Sequence, residues 1–133
     1  MVVRNAVSSR KKRVPNRGRP ARPLPKPQRH PSATAWFTVS VCGYPINIFL
    51  VSEFDNPLQL GEYDSDFHEI YLLRHYHTDA EKHDSLLHEV MHAISRIALT
   101  ADDRLSERQI NTFSTVLHDT LKRNPDFRKQ LGL

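Results

Sequence analysis

The chain has 133 residues, a formal net charge of +4 and a single cysteine, Cys42, which allow one domain at most and exclude both an internal disulfide and a cysteine-based zinc site. Any bound metal must therefore be held by histidines and carboxylates. No apolar run approaches the roughly 18 residues of a transmembrane helix, and the N-terminus has no apolar core of signal-peptide type, so the cytoplasm is the expected compartment.

The net charge conceals two unlike parts. Residues 1–32 hold ten basic side chains and no acid, whereas the remaining 101 residues hold nine basic and fifteen acidic ones, a net of −6. Six of the nine prolines also fall in the first part, at 15, 20, 23, 25, 27 and 31. Such a segment buries too little apolar surface to offset its ordering entropy, which predicts a disordered basic tail over residues 1–33 and a folded domain over 34–133. Pro20 to Pro27 is expected to sample polyproline II. The run Arg10-Lys11-Lys12-Arg13 suits a weak contact with nucleic acid or another acidic surface; a solvated extension without a partner is the plainer alternative. The prolines argue against the amphipathic helix of a transit peptide.

Thr34 to Val51 predicts a β-hairpin. Val39 and Val41 alternate with Thr38 and Ser40, and Ile46, Ile48 and Leu50 alternate with Asn47 and Phe49 after a turn at Gly43-Tyr44-Pro45. Gly61–Tyr63 and Ile70–Leu73 predict two further short strands, joined by a polar turn from Asp64 to His68. Asp64, Asp66 and Glu69 lack the glycine and the distal glutamate of a calcium loop and are turn residues. The expected fold is α+β: a small, mostly antiparallel sheet of three to four strands packed on two helices.

The first helix is expected from Thr78 to Leu99. Thr78 and Glu81 fit a capping box, and Leu87, Met91, Ile94 and Ala98 form an apolar stripe widened by Leu86, Val90, Ala93 and Ile97. Within it, His88-Glu89-Val90-Met91-His92 fits H-E-x-x-H. Residues four apart share a helix face, so His88 and His92 can share one Zn²⁺, and Glu89 is next to the first ligand, where a carboxylate can take a proton from water and return it. His68, His75, His77 and His83 read as surface residues or auxiliary contacts.

The second helix is expected from Ser106 to Arg123, with a second capping box at Ser106 and Gln109, an apolar face of Ile110, Phe113, Leu117 and Leu121, and a stop at Asn124-Pro125. A catalytic zinc usually takes three protein ligands. Asp102, Asp103 and Glu107 are the nearest downstream carboxylates; Glu107 has the firmer position, at a helix start, with Asn111 one turn on.

The run from Leu86 to Ile94 resembles the active helix of small bacterial and phage metallopeptidases of the ImmA/IrrE type, which are gluzincins. Glu107, Ile110, Asn111 and Phe113 match that family's second motif, and Gly61 to Asp64 with Ile70 to Leu72 resemble its preceding hairpin. The resemblance covers residues 37–123. It departs at Val116-Leu117-His118-Asp119, where the family's second motif runs on differently, and lacks the region that follows in larger members. It implies His88, His92 and Glu107 as zinc ligands, Glu89 as general base, and a regulatory DNA-binding protein as a substrate class.

The expected function is therefore a zinc-dependent metalloendopeptidase acting on a protein substrate. Tyr63, Tyr71, Tyr76, His75 and His118 are candidate donors to the oxyanion, and Gly61–Tyr63 or Ile70–Leu73 are candidate strands for binding substrate by strand addition. The alternatives are a non-catalytic zinc-stabilised binding module, which leaves Glu89 without a purpose, and a nucleic-acid-associated factor acting through its basic tail.

Overall fold

The computed structural model describes residues 30–133. The polyproline segment, the basic run and all of the expected disordered tail except residues 30–33 lie outside the described residues. Residues 30–33, the first of the described residues, lie against the sheet. Ala33 N–H donates to the His30 carbonyl (2.9 Å), and the Ser32 hydroxyl accepts from Ser52 N–H (3.3 Å).

Four strands and three helices follow: β1 (Thr34–Val41), β2 (Tyr44–Val51), β3 (Gly61–Asp64), β4 (Glu69–Leu73), α1 (Asp79–Ala98), α2 (Glu107–Arg123) and α3 (Pro125–Gln130). The α+β class and the positions of the strands and the two long helices match the pattern in the sequence. The short α3 is additional: Asn124 and Pro125 end α2 as expected, but a proline also suits the first turn of a new helix.

The sheet is mixed, in the order β1-β2-β4-β3. β1 and β2 form the expected antiparallel hairpin, and β3 pairs antiparallel with β4, but β4 runs parallel to β2, with Ile48 opposite Ile70 and Leu50 opposite Leu72. The chain leaves β2, passes over residues 52–60, lays down β3 at the edge and returns as β4 between the two. Ile70–Leu73 is thus paired on both sides and has no edge to offer a peptide, whereas Gly61–Asp64 is an edge strand. The β3–β4 turn is held by Asp64, whose Oδ1 accepts from the N–H groups of Asp66 (2.9 Å) and Phe67 (3.4 Å).

Alternation in the strands sorts the core into two layers. Val41, Ile46, Ile48, Ile70 and Leu72 face α1 and pack on Ala93, Leu86, Val90, Ile94 and Ile97. Phe49, Val51 and Tyr71 face the other way, under Phe54 and Ala33. The helix therefore meets the sheet through the row that includes Leu86, Val90 and Ala93, not through the Leu87-Met91-Ala98 row; Ala98 is exposed. Likewise α2 buries Ile110 and Ser114, while Phe113 and Leu117 stay in solvent. Both capping positions are occupied. Thr78 Oγ1 accepts from Glu81 N–H (3.1 Å), while the Glu81 carboxylate reaches back to His77 N–H (3.0 Å), and Ser106 and Gln109 bond reciprocally.

The β1–β2 turn is Cys42-Gly43, with Tyr44 and Pro45 already in β2. Both turn residues have positive φ, 51° and 83°, as a two-residue type I′ hairpin requires. Cysteine is a poor occupant of that region and asparagine a good one. Cys42→Asn should stabilise the fold by about 0.5–1 kcal/mol, read as a rise in Tm of about 3–5 °C; an unchanged or lower Tm would contradict the turn geometry.

Candidate metal centre

α1 and α2 lie side by side and bring three ligand-type side chains to one point. His88 Nε2 and His92 Nε2 are 3.0 Å apart. Glu107 straddles them, with Oε1 2.9 Å from His88 Nε2 and Oε2 3.1 Å from His92 Nε2. The helix period puts the histidines on one face of α1, and the Ser106 cap fixes the start of α2 so that its first residue, Glu107, meets that face.

Protons cannot satisfy all three contacts. If both imidazoles donate to Glu107, two N–H groups confront each other. If one imidazole donates to the other, the acceptor's lone pair confronts a carboxylate oxygen. A cation at the centre makes every inward lone pair favourable. The spacing suits one: ligand atoms about 2.0–2.1 Å from a tetrahedral metal lie about 3.3 Å apart. Burial, above all, holds the His92 pKa below its ordinary value, against the pull of Glu107; neutral imidazole is the form that ligates. His88, His92 and Glu107 could thus hold a metal ion, and they are the one such group of three among the described residues. Asp102 and Asp103 are exposed in a 3-10 turn, with Asp103 accepting from the Thr100 hydroxyl (2.7 Å), and take no part.

Glu89 is the buried acid of the site, 7% exposed. It lies on α1 between the sheet-facing row and the histidine row, and its carboxylate accepts the backbone N–H of Tyr63. Desolvation, then the Glu107 charge, push its pKa from 4.5 up to about 8. β3 comes this close because residue 61 is glycine: a Cβ there would lie 2.8 Å from Glu89 Oε1 and 2.9 Å from its Cγ. That role was not read from the sequence, where Gly61 marks only the start of a strand.

The centre opens into a cavity of about 830 Å³, bounded by Leu58 to Gly61 on one side and by α1 and α2 on the other. Asn111 lines it beside Glu107, without a hydrogen bond to that carboxylate. Of the candidate donors, Tyr63 lines the space around His88, Glu89, His92 and Glu107. Tyr76 is committed to structure, donating to the Leu60 carbonyl and accepting from Leu73 N–H (3.2 Å). Tyr71 donates to Glu69 from the opposite face of the sheet. His75 is exposed, and His118 bonds Asp84 across the helix interface. Asp84 escaped the sequence reading, although its spacing of four before His88 puts it on the histidine face. His68 approaches the Tyr63 hydroxyl (3.4 Å), and His77 and His83 are exposed.

No helix among the described residues is long and apolar enough to cross a membrane. The chain matches no family model, no curated protein and no solved structure.

The buried carboxylate gives the metal-free protein a signature. A glutamate whose folded pKa lies above its unfolded one binds more protons when folded, so stability falls as pH rises through the interval between the two. His92, with a lowered pKa, acts in the opposite sense and only below about pH 6.5. Between pH 6.5 and 8 the metal-free wild type should therefore lose on the order of 2 kcal/mol relative to Glu89→Gln. Denaturant melts of both proteins in chelator, across that window, measure the difference; parallel curves would exclude a raised Glu89 pKa.

Proposed function

We propose that this protein is a zinc-dependent metalloendopeptidase. The observation that carries the proposal is the joint placing of a three-ligand cluster and a separate buried carboxylate at one open cavity. A structural metal would need the cluster but not Glu89, whose burial costs stability without adding a ligand. The resemblance of Leu86 to Ile94 and of Glu107 to Phe113 to ImmA/IrrE-type metallopeptidases supports the same chemistry.

His88, His92 and Glu107 are the residues that would hold zinc. When bound, the ion acts as a Lewis acid toward the scissile carbonyl and lowers the pKa of water at the site. Glu89 is the general base: it takes the proton of the attacking water and delivers it to the departing amine nitrogen as the C–N bond breaks. The Tyr63 N–H holds the carboxylate in place and favours its ionised form, offsetting part of the burial that opposes it. The Tyr63 hydroxyl is the candidate donor to the oxyanion. The β3 edge is where an extended peptide would align across the cavity mouth. The resemblance adds a regulatory DNA-binding protein as the substrate class to test first, in the cytoplasm of a bacterial or phage-infected cell.

Glu89→Gln should retain stoichiometric zinc and lose peptide hydrolysis by at least about 10³-fold, since it removes the proton carrier and leaves the ligands. His88→Ala, His92→Ala and Glu107→Ala should lose metal and activity together. Metal analysis beside a peptide-hydrolysis assay separates the cases, and wild-type rates in Glu89→Gln would sink the proposal.

Gly61→Ala tests the strand contact. The added methyl must move the Glu89 carboxylate or the strand, at about 1–3 kcal/mol in stability. The expected outcome is full zinc retention with a kcat reduced about 10–100-fold, because a displacement of about 1 Å is enough to misplace a proton carrier. An unchanged kcat would mean that β3 does not position Glu89.

A further inference from the structure

Charge divides this chain along its length and around its cleft. Residues 1–29 carry ten lysines and arginines and no acid. Residues 30–73 carry six acids (Glu53, Asp55, Glu62, Asp64, Asp66 and Glu69) and no lysine or arginine. The cavity beside the metal centre continues that sign: Glu81, Asp84 and Glu107 line it, again with no lysine or arginine. Leu58 and Leu60 at its rim are exposed, 86% and 41%. Such a cleft suits an extended basic peptide with some apolar character.

The point where the basic segment joins the domain is next to that cleft. His30 packs on Tyr71, with ring centroids 4.4 Å apart, and its Nε2 is 3.7 Å from a carboxylate oxygen of Glu62. Glu62 lies between Gly61 and Tyr63, the β3 residues that line the metal centre. His30 is on the sheet face opposite α1, but β3 is the edge strand, so the chain has a single strand to pass round. At about 3.3 Å per residue, roughly four residues suffice for that, and residues 14–29 can span up to about 50 Å. The cluster Arg10–Arg13 can therefore reach any part of the cavity. A tethered segment meets its site at an effective concentration of about millimolar, so even a weak intrinsic affinity keeps the site largely filled.

We propose that residues 1–29 turn back over the β3 edge and seat their basic side chains in the acidic cavity between β3, α1 and α2, so that the chain supplies its own occupant of the cleft. An Arg- or Lys-rich peptide elsewhere has to displace it to enter. The proposal is independent of peptidase chemistry and holds whether or not the centre turns over.

The test uses the full chain, with no metal and no activity assay. Ser9→Cys on a Cys42→Asn background carries a nitroxide label, and ¹⁵N–¹H spectra compare the oxidised and reduced label. At low salt the amides of Gly61, Thr78 and Glu81 should lose at least fivefold in intensity, while Gly43 in the β1–β2 turn and Leu99 beyond the end of α1 should not. Raising the salt to about 1 M, where the screening length is about 3 Å, should restore the signals. Changing Arg10, Lys11, Lys12 and Arg13 together to Gln should do the same, and neither change touches the folded domain. Unattenuated signals at the three cleft amides, or attenuation spread evenly over the domain, would overturn the proposal. So would attenuation of the same size when a labelled ¹⁴N chain is mixed with an unlabelled ¹⁵N chain, which would make a second copy the occupant.

Discussion

The contact between Glu107 and the two imidazoles of α1 sets the geometry from which the rest of the site follows. Four acceptor-type atoms, two imidazole Nε2 and both Glu107 oxygens, meet in contacts of about 3 Å, and a positive charge among them would offset their repulsion. Two supports hold them there. The Ser106–Gln109 capping box fixes where α2 begins, and the Asp84–His118 bond clamps α2 to α1 further along. The side chains are thus gathered by helix caps and an interhelical pair, not by their own attraction. A site held that way needs no ion to organise it, which would limit the entropy lost if one binds.

Glu89 depends on the same arrangement from the other side. Its burial and the nearby Glu107 charge oppose its ionisation, and the Tyr63 N–H partly offsets them. A divalent cation at the adjacent cluster adds the largest opposing field available, favouring the carboxylate that burial disfavours. A metal bound there would therefore be linked to the protonation of Glu89, and the linkage would pass through Glu107, which contacts both histidines and whose charge raises the Glu89 pKa. Burying Glu89 costs stability in the metal-free form, and an ion at the cluster would recover part of that cost.

Much of this was legible in the sequence because it is local. The alternation in Thr38–Leu50, the caps at Thr78 and Ser106 and the four-residue spacing of His88 and His92 each depend on neighbours in the chain, and helix and strand periods translate them directly into faces. What was not legible depends on packing between distant segments. The parallel pairing of β4 with β2 arises from where the chain goes after Val51, and no residue pattern in a four- or five-residue strand declares its partner. The face of α1 that meets the sheet was displaced by about one residue, because both the Leu87 row and the Leu86 row are apolar and only the sheet decides between them. Phe113 and Leu117 look like core by spacing but stay exposed, since α2 packs on one helix through the narrow row of Ile110 and Ser114. Gly61 is the clearest case: its role is an absent Cβ, and an absence has meaning only against the carboxylate that fills the space.

The placing of β3 ties these features together. Because β4 inserts between β2 and β3, the shortest strand becomes one of the two outer strands, the kind of position where a further chain can pair. Its outward groups are already engaged: the Gly61 carbonyl accepts from the Gln59 side chain (3.2 Å), and the Tyr63 N–H is taken by Glu89. A peptide lying along four residues with two groups committed gains few main-chain hydrogen bonds. Any selectivity would then have to come from the side chains of the cavity, which Glu81, Asp84 and the exposed Leu58 and Leu60 line. Charge and apolar contact, more than strand pairing, would then decide what a cleft of this lining can hold.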